Sequence, residues 1–343
     1  MATLDLRTLG VSMSRRLGFA LSAALLATVV VTTPAHAAAT DLGGLEGGTW
    51  HSAQAINDAG VAVGRSRASG KPERGVKYDG APTEVAGPAG LNTRLTSINN
   101  NGVMAGSAFE PWVSSTATRF YPDGTYQLLD SYPGYAFASG QAIDDSGTVY
   151  GTVFDGNSSQ LPVKWDGTGA LTLLPMPDGM TSAVLTGASN GYAVGYVYAL
   201  GRESTAVRWN PDGTFTRLAG LADRATSYAR AVNRHGEVVG EAFTANNQAV
   251  SGVRWDVDGK IVTMYGHGNT HPRGINDHGV AVGFTTVTTS DNIPMRWDTS
   301  GNGTDLGRPN GARKAEAVSI NNNGVIVGYT GEGTAPLTAV KWS

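Results

Sequence analysis

The 343-residue chain contains no cysteine. Disulfides, thiolate zinc sites, iron–sulfur clusters and cysteine nucleophiles are therefore excluded. Charged residues make up only 15%, and the formal net charge is −3. That sign argues against nucleic acid and anionic membrane surfaces as partners. Histidines number six, with no His-x-His or H-E-x-x-H spacing. No metal and no cofactor are expected from such a set. The nucleophile elbow Gly-x-Ser-x-Gly and the phosphate-binding P-loop are also missing. A full calcium loop is absent around Asp144-Asp145 and Asn276-Asp277.

Long apolar runs are lacking except one, Leu17 to Val31. Arg15 and Arg16 precede it, and Ala35-His36-Ala37 follows as a small-x-small cleavage signal. Residues 1–37 therefore read as a secretory signal peptide, with Met13 the more natural start. The run is short for a bilayer span, so a secreted protein with no membrane span after cleavage is expected. The leader carries Arg7, Arg15 and Arg16 against Asp5, so its loss makes the remainder more acidic.

Glycine is what the chain has in excess, at 47 residues. Glycine weakens helix interiors and supplies the positive φ angles of tight hairpins. An all-β fold of many short strands follows. A phrase recurs seven times: small-Ile-Asn-x-x-Gly-x-x-x-Gly. Its closing glycines are Gly64, Gly106, Gly151, Gly195, Gly240, Gly283 and Gly328. An aromatic follows each by 14 or 15 residues: Tyr78, Phe120, Trp165, Trp209, Trp255, Trp297 and Trp342.

Each copy predicts four strands. The first ends at the Ile, Asn-x-x-Gly makes a hairpin turn, the second ends near the closing glycine, and the third ends at the aromatic. A further turn, such as Pro211-Asp212-Gly213, leads to the fourth strand. Four strands per repeat of this length is the pattern of a propeller blade. The aromatic is expected between neighbouring blades. The seventh copy stops at Trp342-Ser343 without a fourth strand, while Thr40-Asp41-Leu42-Gly43-Gly44-Leu45 matches the fourth-strand segment Thr216 to Leu221. The prediction is a single seven-bladed β-propeller over residues 38–343, closed by the N-terminal strand completing the last blade. An open β-solenoid would not need the split copy.

The repeated phrase with its late tryptophan resembles the HAF-type family of bacterial extracellular repeat proteins. The resemblance spans essentially 40–343 and implies an extracellular repeat fold without assigning an activity. The fourth copy departs from it, because Gly187-Ala188-Ser189-Asn190-Gly191 lacks the Ile and the first Asn.

Function must then lie in what varies between copies. Ten residues before each closing glycine stand Gln54, Thr96, Gln141, Leu185, Arg230, Arg273 and Val318. Arginine at this rim position in two consecutive copies suits a carboxylate or sulfate. Tyr228 and His271 lie two residues before these arginines and share their faces. Glu316, on the next copy, is a possible internal neutraliser. Loops joining second to third strands add Trp112, Tyr196, Tyr198 and Asn246. Candidate ligand-binding residues are therefore Arg230, Arg273, Gln141, Gln54, Trp112 and Tyr198. Candidate catalytic residues, should there be chemistry, are His271 and Tyr228. The leading expectation is a monomeric, secreted binding module for extracellular glycan, acidic in character, or for a protein ligand. A polysaccharide lyase, a glycosidase, and a structural envelope or matrix scaffold are the alternatives. An ordinary solvated rim is the bland reading of the same charges.

Overall fold

The structure is a computed structural model that describes residues 39–221, 226–243, 250–288, 291–309, 312–331 and 336–343. The expected signal peptide, residues 1–37, and Asn246 lie outside the described residues. Strands account for the regular structure throughout, and no α-helix occurs among the described residues.

The fifth copy shows how one unit is built. Its strands are Thr226–Val232, Val238–Phe243, Val250–Trp255 and Ile261–Met264. Each is antiparallel to the next. The first six copies follow this order. The seventh supplies Lys314–Ile320, Ile326–Gly331 and Thr338–Trp342. The strand Ala39–Asp41 pairs antiparallel with the last of these, with Ala39 opposite Trp342 and Asp41 opposite Val340. The Leu42 amide extends the pairing by donating to the Ala339 carbonyl at 2.9 Å.

The first strand of every copy carries a bulge one residue wide. The register skips between Ala53 and Ala55, Leu95 and Ser97, Gly140 and Ala142, Leu185 and Gly187, Ala229 and Ala231, Pro272 and Gly274, and Ala317 and Ser319. Such a bulge kinks the strand and re-aims one side chain. It also accounts for the closing glycine opposite. A Cβ built on Gly240 would stand 2.0 Å from the Tyr228 carbonyl oxygen, and one on Gly64 1.9 Å from that of Ser52. Only glycine admits so close an approach, so bulge and glycine recur together.

The hairpin turn works as its residues predict, and does one thing more. Asn99 Oδ1 accepts the amides of Asn101 and Val103 at 3.0 and 2.9 Å, while Gly102 takes φ 77°. The Asn99 side-chain amide then donates to the Asp144 carbonyl of the next copy at 2.9 Å. Asn57, Asn233 and Asn276 reach the next copy in the same way. Asn321, in the seventh copy, reaches the Asn57 carbonyl of the first at 2.9 Å. The degraded fourth copy turns tightly on Asn190 (φ 49°) and Gly191 (φ 83°), two positive-φ residues as a two-residue hairpin requires.

Apolar packing joins neighbouring units. Trp255 clusters with Val194, Ala206 and Leu218 of the fourth copy, which precedes its own, and Trp165 of the third copy with Ala105, Ala117 and Leu129 of the second. Tyr78 and Ile56 of the first copy pack with Val327 and Ala339 of the seventh. Tryptophan suits the position because its indole N–H also finds a partner. The carbonyls of Asp130, Pro175, Ala219 and Tyr265 accept from Trp165, Trp209, Trp255 and Trp297 at 2.7–2.8 Å. Each acceptor lies just past a fourth strand.

Candidate functional site

The bulged residues meet in one place. Gln54, Thr96, Gln141, Thr186, Arg230, Arg273 and Val318 together line a central cavity of ≈ 340 Å³. The rim position expected in the fourth copy was Leu185, and this is corrected to Thr186. The tight Asn190-Gly191 turn shortens that copy by one residue, so counting ten back from Gly195 overshoots by one. Leu185 is buried in the apolar core instead.

Arg230 and Arg273 come together around a carboxylate that the rim pattern does not reveal. Glu241, one residue past the closing glycine, is 1% exposed. Arg230 donates to its Oε2 through Nε at 2.9 Å and Nη2 at 2.5 Å. Arg273 Nη1 donates to Oε1 at 2.8 Å, and His271 Nδ1 lies 2.9 Å from the same oxygen. Glu316 does not neutralise an arginine. It accepts from Asn292 Nδ2 at 2.8 Å and from the Tyr329 hydroxyl at 2.6 Å. The two cations are thus not free of an anion within the fold, as their positions alone suggested. Their compensation comes from inside.

Burial by itself would raise the Glu241 pKa. The His271 hydrogen bond, then Arg273 and Arg230, outweigh it and lower the pKa to about 2. Glu241 is therefore ionised throughout the ordinary pH range and cannot serve as a general acid. One carboxylate faces two guanidinium groups, so the cluster retains a net positive charge. Among the described residues, Arg273 Nε and Nη2 and Arg230 Nη1 have no protein partner. Both arginines are about a quarter exposed, on the cavity.

Aromatic rings flank this cluster. Tyr228 meets Tyr196 edge-on at 4.6 Å and Phe243 at 5.1 Å. The Arg230 guanidinium lies over the Tyr228 ring at 5.5 Å. Tyr198 continues the row at 6.2 Å from Tyr196. Both tyrosines belong to the strand Tyr192–Tyr198 rather than to the loop that follows it, where the sequence had placed them. His271 stacks on Phe284 at 4.8 Å, and Arg273 lies over that ring at 5.1 Å.

Of the remaining candidates, the two glutamines line the cavity and Trp112 does not. Gln54 shares the cavity and donates to Ser52 Oγ at 2.9 Å. Gln141 Oε1 is buried without a hydrogen-bond partner. Trp112 is not brought to the arginines. It stands in the turn between Met104–Glu110 and Ser114–Phe120, 97% exposed and with φ 65°.

At the hairpin-turn end a second cavity of ≈ 610 Å³ is lined by the Asn and Asp residues of the repeated turns. Its carboxylates are paired internally. Asn100 Nδ2 donates to Asp58 and Asp145, and Asn322 Nδ2 to Asp58 and Asp277. Alternating amide and acid holds adjacent copies together there. Among the described residues, no three histidine or acidic side chains gather as a metal site.

Solved structures resemble this chain in fold. An oligogalacturonate lyase in complex with manganese matches with TM-score 0.62 at 10% identity, over 90% of this chain and 94% of that one. Virginiamycin B lyase from Staphylococcus aureus matches with TM-score 0.60 at 14% identity, over 89% and 99%. The fold is a β-propeller. TolB from Acinetobacter baumannii matches with TM-score 0.50 at 13% identity, over 71% of this chain, and the chain spans 62% of that TolB. At such identities the likeness concerns the propeller fold and carries no activity across. No family model and no curated protein sequence matches the chain.

Proposed function

We propose that the chain is a secreted, seven-bladed propeller of the HAF-type repeat family, closed by its N-terminal strand, that binds acidic glycan at its channel mouth. Closure is supported by Ala39–Asp41 pairing beside Thr338–Trp342, and by Asn321 reaching Asn57. Deleting residues 38–46 is expected to bare a sheet edge and to remove the partly buried Leu42 and Leu45. The expected loss is about 2 kcal/mol, with aggregation in place of a clean monomer. Unchanged melting and solubility of the truncated chain would argue for an open array.

The binding reading rests on the Arg230–Glu241–Arg273 cluster. Burying a carboxylate is costly, and equivalent positions in other blades hold Thr152, Tyr196 and Phe284 without one. Glu241 holds two planar forks at the cavity wall and leaves N–H groups of both unmatched. A carboxylate or sulfate on a sugar would complete them. The row Tyr198, Tyr196 and Tyr228 offers apolar ring faces alongside.

Replacing both arginines by glutamine would strand Glu241 as an uncompensated buried charge, so the charge-keeping pair Arg230→Lys and Arg273→Lys is the better test. Lysine still compensates Glu241 but lacks the fork. Retention on immobilised polygalacturonate or a sulfated glycan should fall at least about tenfold, a loss of about 1.4 kcal/mol. The melting temperature should hardly move. Undiminished retention would remove the arginines from the site.

A lyase is the second reading, favoured by one observation. Glu241 fixes His271 through Nδ1, which leaves Nε2 available to accept a proton beside two cations suited to a uronate. Incubation with acidic polysaccharides, followed by absorbance of unsaturated products, separates lyase from binder. A glycosidase fits less well, because Glu241 is held ionised and offers no acid partner.

A further inference from the structure

Across the same mouth, the first and second blades hold another arginine–glutamate–arginine cluster. Arg65 occupies in the first blade the position that Glu241 occupies in the fifth, one past the closing glycine. Glu73 lies 3.8 Å from Arg65 Nη1, and Arg94 Nε donates to the same Glu73 oxygen at 3.1 Å. The Arg65 guanidinium lies over the Trp50 ring at 4.6 Å, and that of Arg94 over Phe109 at 4.5 Å. Trp50, Arg65, Arg67 and Glu73 line a cavity of ≈ 430 Å³, within the usual range for small-ligand sites.

The arginines that serve the scaffold look different. Arg119 donates to the carbonyls of Asp166 and Gly167 at 2.6 and 3.0 Å. Arg208 donates to those of Gly236 and Val257 at 2.7 and 3.0 Å. Each ties one blade to a turn of the next. Arg65 makes no such bond to a carbonyl; its buried Nε lacks a hydrogen-bond partner, as does that of Arg119, so the missing carbonyl acceptors are what set it apart. Arg65 faces only Glu73 at 3.8 Å; a cationic fork without carbonyl acceptors is unfavourable, and packing on Trp50 explains its position but not that deficit. The exposed Arg67 adds a further charge, so three cations face one carboxylate.

We propose that Trp50, Arg65, Arg67 and Arg94 form a second anion subsite, and that the channel mouth takes a polyanionic oligosaccharide whose acid groups engage both arginine clusters. The proposal rests on the acidic-glycan reading and extends it from one acidic sugar to a chain of them. Blade seven lies between the clusters, and its Tyr329 hydroxyl is within electrostatic reach of both Arg65 and Arg273. A ligand that occupies both subsites gains through effective concentration, so affinity should rise steeply with chain length.

The test is titration of the full mature chain with α-1,4-linked galacturonate oligomers, from the monosaccharide to long oligomers, against Arg65→Gln/Arg67→Gln. Wild type should gain at least about tenfold in affinity once the oligomer spans both clusters. The double variant should lose that gain while binding short oligomers unchanged. Arg67→Gln alone, at an exposed position, serves if the double variant melts early, and should lose part of the gain. A gain that survives in the variants, or a loss equal at every length, overturns the second subsite. Wild-type binding without length dependence also overturns it and leaves the first site standing. No binding of any oligomer by wild type overturns both.

Discussion

Trp209→Ala is expected to lower stability by about 3–5 kcal/mol. Trp209 is 2% exposed. It packs among Tyr150, Leu185, Val197 and Val207, so it belongs to two blades at once. The truncation opens a cavity that strands on both sides cannot close without shifting. It also leaves the Pro175 carbonyl, which accepts the indole N–H at 2.7 Å, without that partner. Trp209→Phe should recover much of the loss, because Phe120 fills the equivalent place in the second blade with 0% exposure. Denaturant unfolding of the three proteins checks this. A loss below about 1 kcal/mol for the alanine variant would contradict the packing role.

The second large effect concerns acid. The folded pKa of Glu241, about 2, lies below the ordinary value of 4.5. A depressed carboxylate contributes stability that is fully present above the unfolded pKa and lost as pH falls through the folded one. The contribution is roughly 3 kcal/mol at neutral pH and should fade between about pH 4.5 and 2. Glu241→Gln removes it and leaves Arg230 and Arg273 facing each other. The variant should therefore be less stable by about that amount near neutrality, and the two stability curves should converge on acidification. Curves that stay parallel down to pH 2 would mean that Glu241 titrates normally.

The repeat made most of the scaffold readable. The Asn-x-x-Gly turns of five copies and the Asp-x-x-Gly turn of the third, the closing glycines and the spaced aromatics each impose a local geometry that tolerates few other residues. The split seventh copy pointed to the pairing of the N-terminal strand with the last one. Three features were not readable in the same way. The bulge depends on a register shift, which leaves no mark in a spacing count, so Leu185 stood in for Thr186. The carbonyl contacts of the turn asparagines lie between copies more than 40 residues apart. Glu241 was hidden because its position varies freely, reading Arg65, Ser107, Thr152, Tyr196, Glu241, Phe284 and Tyr329 across the copies. The signal existed: a lone carboxylate among apolar neighbours, on a strand facing two rim arginines. The separation of Trp112 from the arginines was unreadable for the opposite reason. An aromatic in a variable loop looks like a ligand contact from sequence, yet its turn carries it away from the cavity.

The most direct measurement is a crystal structure of residues 38–343 soaked with a short galacturonate oligomer. An acid group of the sugar is expected within hydrogen-bond reach of Arg230 Nη1 and of Arg273 Nη2 or Nε, with Glu241 still bridging the two arginines from behind. An oligomer seated elsewhere on the propeller, or a site left empty at saturating oligomer, would contradict this.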